Sequence, residues 1–218
     1  MAVNWENYLQ EVLPDVAGCP IQVAENAIRN SAIEFCNKSR VYRDKLADML
    51  TAQGTAKYTI ATPVDSEMIA LHKVQHNDQT FPLPTIPAIH LDRARLSTNE
   101  QKPRWYNSPT PAEIEFFFTP DAIYTVELWA ILKPTKAATS GPDFLFNDWL
   151  EPISSGAKAR LLAMSGRPWS DKSMVKFHRR EFTDGWVEAK IRDAKSNVFS
   201  SSTLRPQNFG SYRNTRRF

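Results

Sequence analysis

Four histidines, two cysteines and 24 carboxylates are the groups with which this chain could do acid–base, nucleophilic or metal chemistry. His72 and His76 stand four apart, which is a metal-ligand spacing on a helix. Met68 to Val74 reads as a strand instead, where residues four apart share a face but sit about 13 Å from one another. His72 and His76 are therefore expected to be solvated or structural. His90 and His178 are isolated, and His178 falls on an apolar helical stripe, a core-edge position rather than that of a base. Cys36 lies toward the C-terminal end of an expected helix, where the dipole raises a thiol's pKa and opposes nucleophilic use. Cys19 and Cys36 form no metal-type pair. The carboxylates show only ordinary surface spacing. The sequence holds no nucleophile elbow, phosphate loop, H-E-x-x-H, calcium loop or G-x-G-x-x-G. The expectation is a non-enzymatic protein with no catalytic residue, no metal and no cofactor.

The elements that must position these groups change period twice along the chain. Asn4 is placed as an N-cap for a short helix with Trp5, Leu9, Val12 and Leu13 on one side, stopped by Pro14. Pro20 suits a first helical position. Ile21, Ala24, Ile28, Ala32 and Phe35 then recur at threes and fours, predicting an amphipathic helix to about Lys38. Tyr42 to Met49 is expected to be a further short helix or bend. Strands are expected at Lys57–Ile60, at Met68–Val74, and at Ile123–Leu132, where Tyr124, Val126, Leu128, Ala130 and Leu132 alternate with polar residues. Glu113–Phe118 is expected to pair with that last strand across the turn Thr119-Pro120-Asp121. Ile89–Leu96 is a short helix candidate after the Pro-rich stretch 81–87. Beyond Pro142, Phe146, Leu150, Ile153, Ala157, Leu161 and Met164 form a narrow helical seam. Ser170 is expected to cap a last helix whose inner stripe is Met174 or Val175, His178, Phe182 and Ala189. Gly185 within it marks a bend or close packing.

These periods imply an α+β fold. A helical bundle from the N- and C-terminal helices (1–50 and 136–194) carries an inserted, mostly antiparallel β domain (51–135) and an extended basic C-terminal tail (195–218). No run of about 18 apolar residues occurs, so no transmembrane helix is expected, and the N-terminus lacks a signal-peptide pattern. The expectation is a soluble, non-exported protein with reduced thiols. Charge is uneven: from Lys195 to Phe218 there are five basic residues and no acid, which leaves 22 basic and 24 acidic residues, or −2, on the rest. A dedicated nucleic-acid binder should carry its positive charge on the folded body. Three destinations stand for Phe199, Arg205, Phe209, Tyr212, Arg213, Arg216, Arg217 and Phe218: an acidic protein groove, nucleic acid, or solvent. Arg104, Trp105 and Tyr106 beside Pro103 have hot-spot composition. Phe116-Phe117-Phe118 is either covered by a second layer or part of a subunit interface, Phe117 being its candidate contact.

Four segments carry a likeness to a known family. They are WENYLQEVLPDVAGCP (Trp5–Pro20), AIRNSAIEFCNK (Ala27–Lys38), Leu132-Lys133-Pro134-Thr135, and WLEPISSGAKARLLAMSGRPWSD (Trp149–Asp171). In order and spacing the chain resembles the head-to-tail adaptor, or connector, proteins of short-tailed bacteriophages, over roughly residues 4–192 and not over the tail. The resemblance implies a structural virion protein at the head–tail junction, made in the host cytoplasm. It implies one subunit of a ring, commonly of twelve copies, between a portal protein and a tail tube or nozzle protein. Genomic DNA would pass through the lumen without specific recognition during ejection, and no membrane would be involved. A tail-completion or minor capsid protein is the alternative of the same kind. A nucleic-acid-binding protein acting through its basic tail is the alternative of another class.

Overall fold

Pro20 and Arg40 fix the ends of the first long helix, and the polypeptide before it is bent by Pro14. In a computed structural model that describes residues 2–86 and 100–195, strand β1 (Ala2–Asn4) leads into a 3₁₀ turn, Trp5–Tyr8. Helix α1 (Leu9–Val12) and a second 3₁₀ turn, Leu13–Asp15, follow. The single short helix expected here is thus three tight pieces, and Asn4 makes no side-chain cap. Trp5, Tyr8, Val12 and Val16 are buried all the same, because the 3₁₀ and α turns keep them on one side. Helix α2 (Ile21–Ser39) starts one residue later than expected: Pro20 is extended, and its carbonyl accepts from Val23 and Ala24 N–H at 3.0 and 3.1 Å. It ends where Arg40 turns left-handed (φ 59°) and gives its N–H to the Cys36 carbonyl at 2.9 Å. Ala24, Ile28, Ala32 and Phe35 are buried as the spacing predicts, but Ile21, in the first turn, is exposed.

Residues Tyr42 to Met49 form neither helix nor bend. They include strands β2 (Arg43–Lys45) and β3 (Met49–Leu50), both antiparallel to β8 (Thr125–Pro134). Pairing across the sequence overrides a weak local preference here. Strand β5 (Ser66–His76) covers the other edge of β8, with register shifts between Met68 and Ala70 and between Leu71 and Lys73. Val126, Leu128, Ala130 and Leu132 of β8 face a buried core, as the alternation requires.

A second sheet has the order β4 (Lys57–Thr59), β7 (Glu113–Phe117), β6 (Trp105–Asn107), all antiparallel. Strand β7 therefore does not pair with β8, contrary to expectation. The connection between them is used elsewhere. Phe118 is left-handed (φ 61°). Thr51 Oγ1 accepts the Tyr124 N–H at 2.8 Å, and Gly54 N–H reaches the Pro120 carbonyl at 2.9 Å. Residues 49–59 and 113–126 thus run antiparallel as one bent ribbon that crosses from the first sheet to the second. The helix expected at Ile89–Leu96 lies outside the described residues, as does the tail from 196.

Strand β9 (Ser140–Pro142) pairs with β1 and feeds helix α3 (Asp143–Leu162). Pro152 has no N–H to donate and its ring crowds the carbonyl four residues before it, so the helix kinks, with Trp149 at φ −132°, ψ 24°. The buried line runs Leu145, Trp149, Ile153, Ala157, Leu161. The expected seam shifts by one position before the kink, leaving Phe146 and Leu150 at the core's edge and Met164 exposed. Helix α4 (Lys172–Ala194) is capped by Asp171, not Ser170: its carboxylate accepts the Ser173 N–H at 2.9 Å. Val175 is the inward member of the Met174/Val175 pair, followed by His178, Phe182 and Ala189. Gly185 marks close packing, since a Cβ there would lie 2.8 Å from Pro152 Cγ.

The fold is mixed helix and antiparallel sheet, with one core among α2, α3 and α4 and another between the sheets. Tyr42 packs against both. No helix among the described residues is long and apolar enough to cross a membrane. Two outcomes test the helical core by urea unfolding. Leu161→Ala should lose about 2–5 kcal/mol, since Leu161 is fully buried; a loss below about 1 kcal/mol would contradict that burial. Gly156→Ala should lose about 1–3 kcal/mol by overpacking, because its new methyl would sit within 2.6 Å of the Phe182 ring.

Candidate functional site

On a strand, neighbours face opposite ways, so β6 and β7 divide their aromatics between two surfaces. Tyr106 and Phe116 are directly paired and point into the core with Ile114 and Leu83. Tyr106, expected as an inter-subunit contact in a loop, is therefore buried: the segment is a strand, and its alternation turns Tyr106 inward and Trp105 outward. Trp105 and Phe117 are paired on the outer face, with ring centroids 5.4 Å apart. Phe118 joins them at 5.8 Å from Trp105 and 4.5 Å from Phe117. The Arg104 N–H donates to the Phe117 carbonyl at 3.4 Å, and the residue is exposed beside the three rings. The structure thus gathers Arg104, Trp105 and Phe117 and adds Phe118. Pro120, two residues on and locked to Gly54, is the sequence signal that the chain turns sharply here.

A left-handed phenylalanine costs about 1 kcal/mol. It persists because flanking residues are tied down on both sides: the Phe117 carbonyl accepts from Arg104 N–H before it, and the Thr119 and Pro120 carbonyls accept from Gln101 and Gly54 N–H, both at 2.9 Å, after it. The result is a half-buried patch of three rings, with the exposed Arg104 next to Trp105 in the chain. Such a surface can offer stacking, apolar contact and fork-shaped donation to a carboxylate.

His72 is the extra residue at a β5 register shift, so it is exposed beside Arg43 (3.1 Å) while His76 is buried. The bulge breaks the alternation that would have put both on one face. His76 bonds the Pro103 carbonyl at 2.8 Å, tying β5 to the start of β6. Cys36 is fully buried, which pushes its thiol up to about 12; burial, more than the helix end, works against its ionisation. Among the described residues no three His, Cys, Asp or Glu side chains are grouped to hold a metal ion. His90 and the eight tail residues named above lie outside the described residues. A cavity of about 440 Å³ among α2, α3 and α4 is lined by Val175 and Phe182 together with Arg179 and the Glu34–Arg160 ion pair.

His178 is buried on α4, and its Nδ1 has no hydrogen-bond partner among the described residues. Burial lowers its pKa first, and Lys158 lowers it further, against the opposite pull of Asp15 and Glu181. His76 is lowered mainly by burial too. Both are bases whose folded pKa lies below the unfolded value of about 6.5. The unfolded chain binds more protons in that window, so stability is full above about pH 6.5 and falls as pH drops toward the folded values. Urea midpoints should be flat just above that pH and decline below it, with a shallower decline in His178→Gln; an unchanged decline would remove His178 from the account.

No protein-family model matches this sequence, and no curated protein sequence matches it.

Proposed function

We propose that this chain is a structural virion protein, one subunit of an adaptor ring that joins a portal to a phage tail and surrounds the path of the genome. On this reading the helices at the two ends of the chain form a bundle, the strands between them an inserted domain, and residues 195–218 an extended arm. The observation that carries it is the outward patch of Trp105, Phe117 and Phe118 with Arg104 beside it, which has the chemistry of a protein contact. Its support in sequence is the ordered likeness of the four segments quoted above. The arm's five basic residues without an acid suit carboxylates on the portal or a neighbouring copy. A duplex sliding through a channel should not be gripped, which favours a protein destination over DNA.

Deleting residues 195–218 separates the cases. The truncated chain should keep its circular dichroism and lose co-migration with portal rings on a sizing column. Attachment that survives, with only DNA retention reduced, would decide for the nucleic-acid alternative. Full-length chain that never co-migrates with portal would end the adaptor reading.

A further inference from the structure

The charge of the helical side is divided between two surfaces. Residues 1–28 contain four acids and no Lys or Arg; of these acids Asp15 pairs with Lys158, and Glu6 and Glu25 share a cleft with Arg29. Residues 159–180 contain six basic residues and one acid, Asp171, which is committed to capping α4. Helices α1 and α4 both pack on α3, so each has an outward surface left over. On α4, Lys172, Lys176 and Arg179 recur at four and three residues, which aligns them along one side. All three are exposed and make no ion pair among the described residues. Beside them Phe177 is 54% exposed. On the acidic surface, Glu6 and Glu11 are exposed and make no ion pair among the described residues either. Ile21 is 56% exposed at the start of α2.

We infer that these two surfaces are made for each other: the α4 face of one copy receives the Glu6–Glu11 face of the next. This rests on the ring reading above. The occupant is a second copy of this chain because both halves of the match are on it, opposite charge and an exposed apolar residue on each side. A phosphate backbone would satisfy the three cations but not cover Phe177. The contact joins two different patches, so it is head-to-tail and propagates by rotation, which a closed ring requires.

The test uses the full-length chain at low salt, where screening extends over about 30 Å at 0.01 M ionic strength, and again near 0.15 M, where it falls to about 8 Å. A carbodiimide joins carboxylates to lysines in direct contact, and mixed heavy- and light-isotope chains mark links between copies by mass. Links from Glu6 or Glu11 to Lys172 or Lys176 should form between copies and weaken with salt. They should vanish in Glu6→Lys/Glu11→Lys and in Lys172→Glu/Lys176→Glu/Arg179→Glu. Mixing the two variants should restore linked pairs, now from the carboxylates introduced on α4 of one variant to the amines introduced on the N-terminal face of the other. These positions are exposed, so both variants should keep wild-type circular dichroism. Absence of such links in wild type overturns the inference, as does a mixture of the two variants that gives no linked pairs. Wild-type chain that joins portal rings yet gives no such links overturns the face assignment alone. Chain that gives the links but never joins portal removes the adaptor reading instead. Retardation of duplex DNA lost in the α4 variant, without links between copies, assigns the basic face to nucleic acid and overturns the inference.

Discussion

Three helices meet at Gly156, and the helical half of the molecule depends on that one missing side chain. Ser31 of α2 and Phe182 of α4 both occupy the space a Cβ would need. Ser31 Oγ uses the approach to donate to the Ile153 carbonyl at 2.8 Å, so the tightest point of the core also satisfies its own polar atom. One turn earlier Pro152 kinks α3, and Gly185 of α4 accepts the proline ring. Each glycine weakens a helix by about 1 kcal/mol relative to Ala. The approach they allow places Phe35, Trp149 and Phe182 in ring contact, at 5.5 and 6.3 Å from Phe35. Burial of such aromatics outweighs the propensity lost.

The sheets are tied to this core at Tyr42. Its backbone carbonyl accepts from Leu132 in β8 at 2.8 Å, its hydroxyl meets Ser66 Oγ at 3.2 Å, and its ring lies against Phe144 of α3 at 5.6 Å. Arg43, the next residue, pairs with Asp193 at the end of α4. Two adjacent residues therefore join β8, β5, α3 and α4. The second sheet is joined to the first by the bent ribbon of residues 49–59 and 113–126, by the His76–Pro103 bond and by their shared core. On the outer face of β6 and β7, Trp105 and Phe117 are half-buried and Glu115 is buried.

Local period was legible where one element met one core. The α2 stripe, the β8 alternation and the inward positions of α4 follow from spacing alone, because each buries a single face. What spacing could not supply was partner choice. Strand β2 is too polar and β3 too short to announce itself, and both exist because β8 offers an edge. The β7–β8 hairpin failed for the same reason, since the bonds of its turn go to Thr51 and Gly54, some 70 residues away in sequence. The α3 seam slipped at Pro152, where the helix rotates. Of the contact residues, Tyr106 was misplaced because a loop has no alternation and a strand does. Phe118 lay within the stretch weighed as an interface but was not singled out, because its position depends on φ, which composition does not encode.

Phe118 also bears on what the aromatic patch is for. Within this chain, a glycine at that position would take the left-handed turn without strain. The phenyl ring is half-buried, and among the described aromatics it meets Trp105 and Phe117, so its own fold recovers part of what a core position would give. Strain of this kind persists where the surroundings over-determine it, and it gathers at sites of contact. A partner that covered the three rings would bury the remaining apolar surface on a platform already fixed by backbone bonds to Thr119 and Pro120. Little side-chain ordering would then be left to oppose association. Backbone bonds to Thr119 and Pro120 and ring contacts with Trp105 and Phe117 thus hold Phe118 in place from two directions.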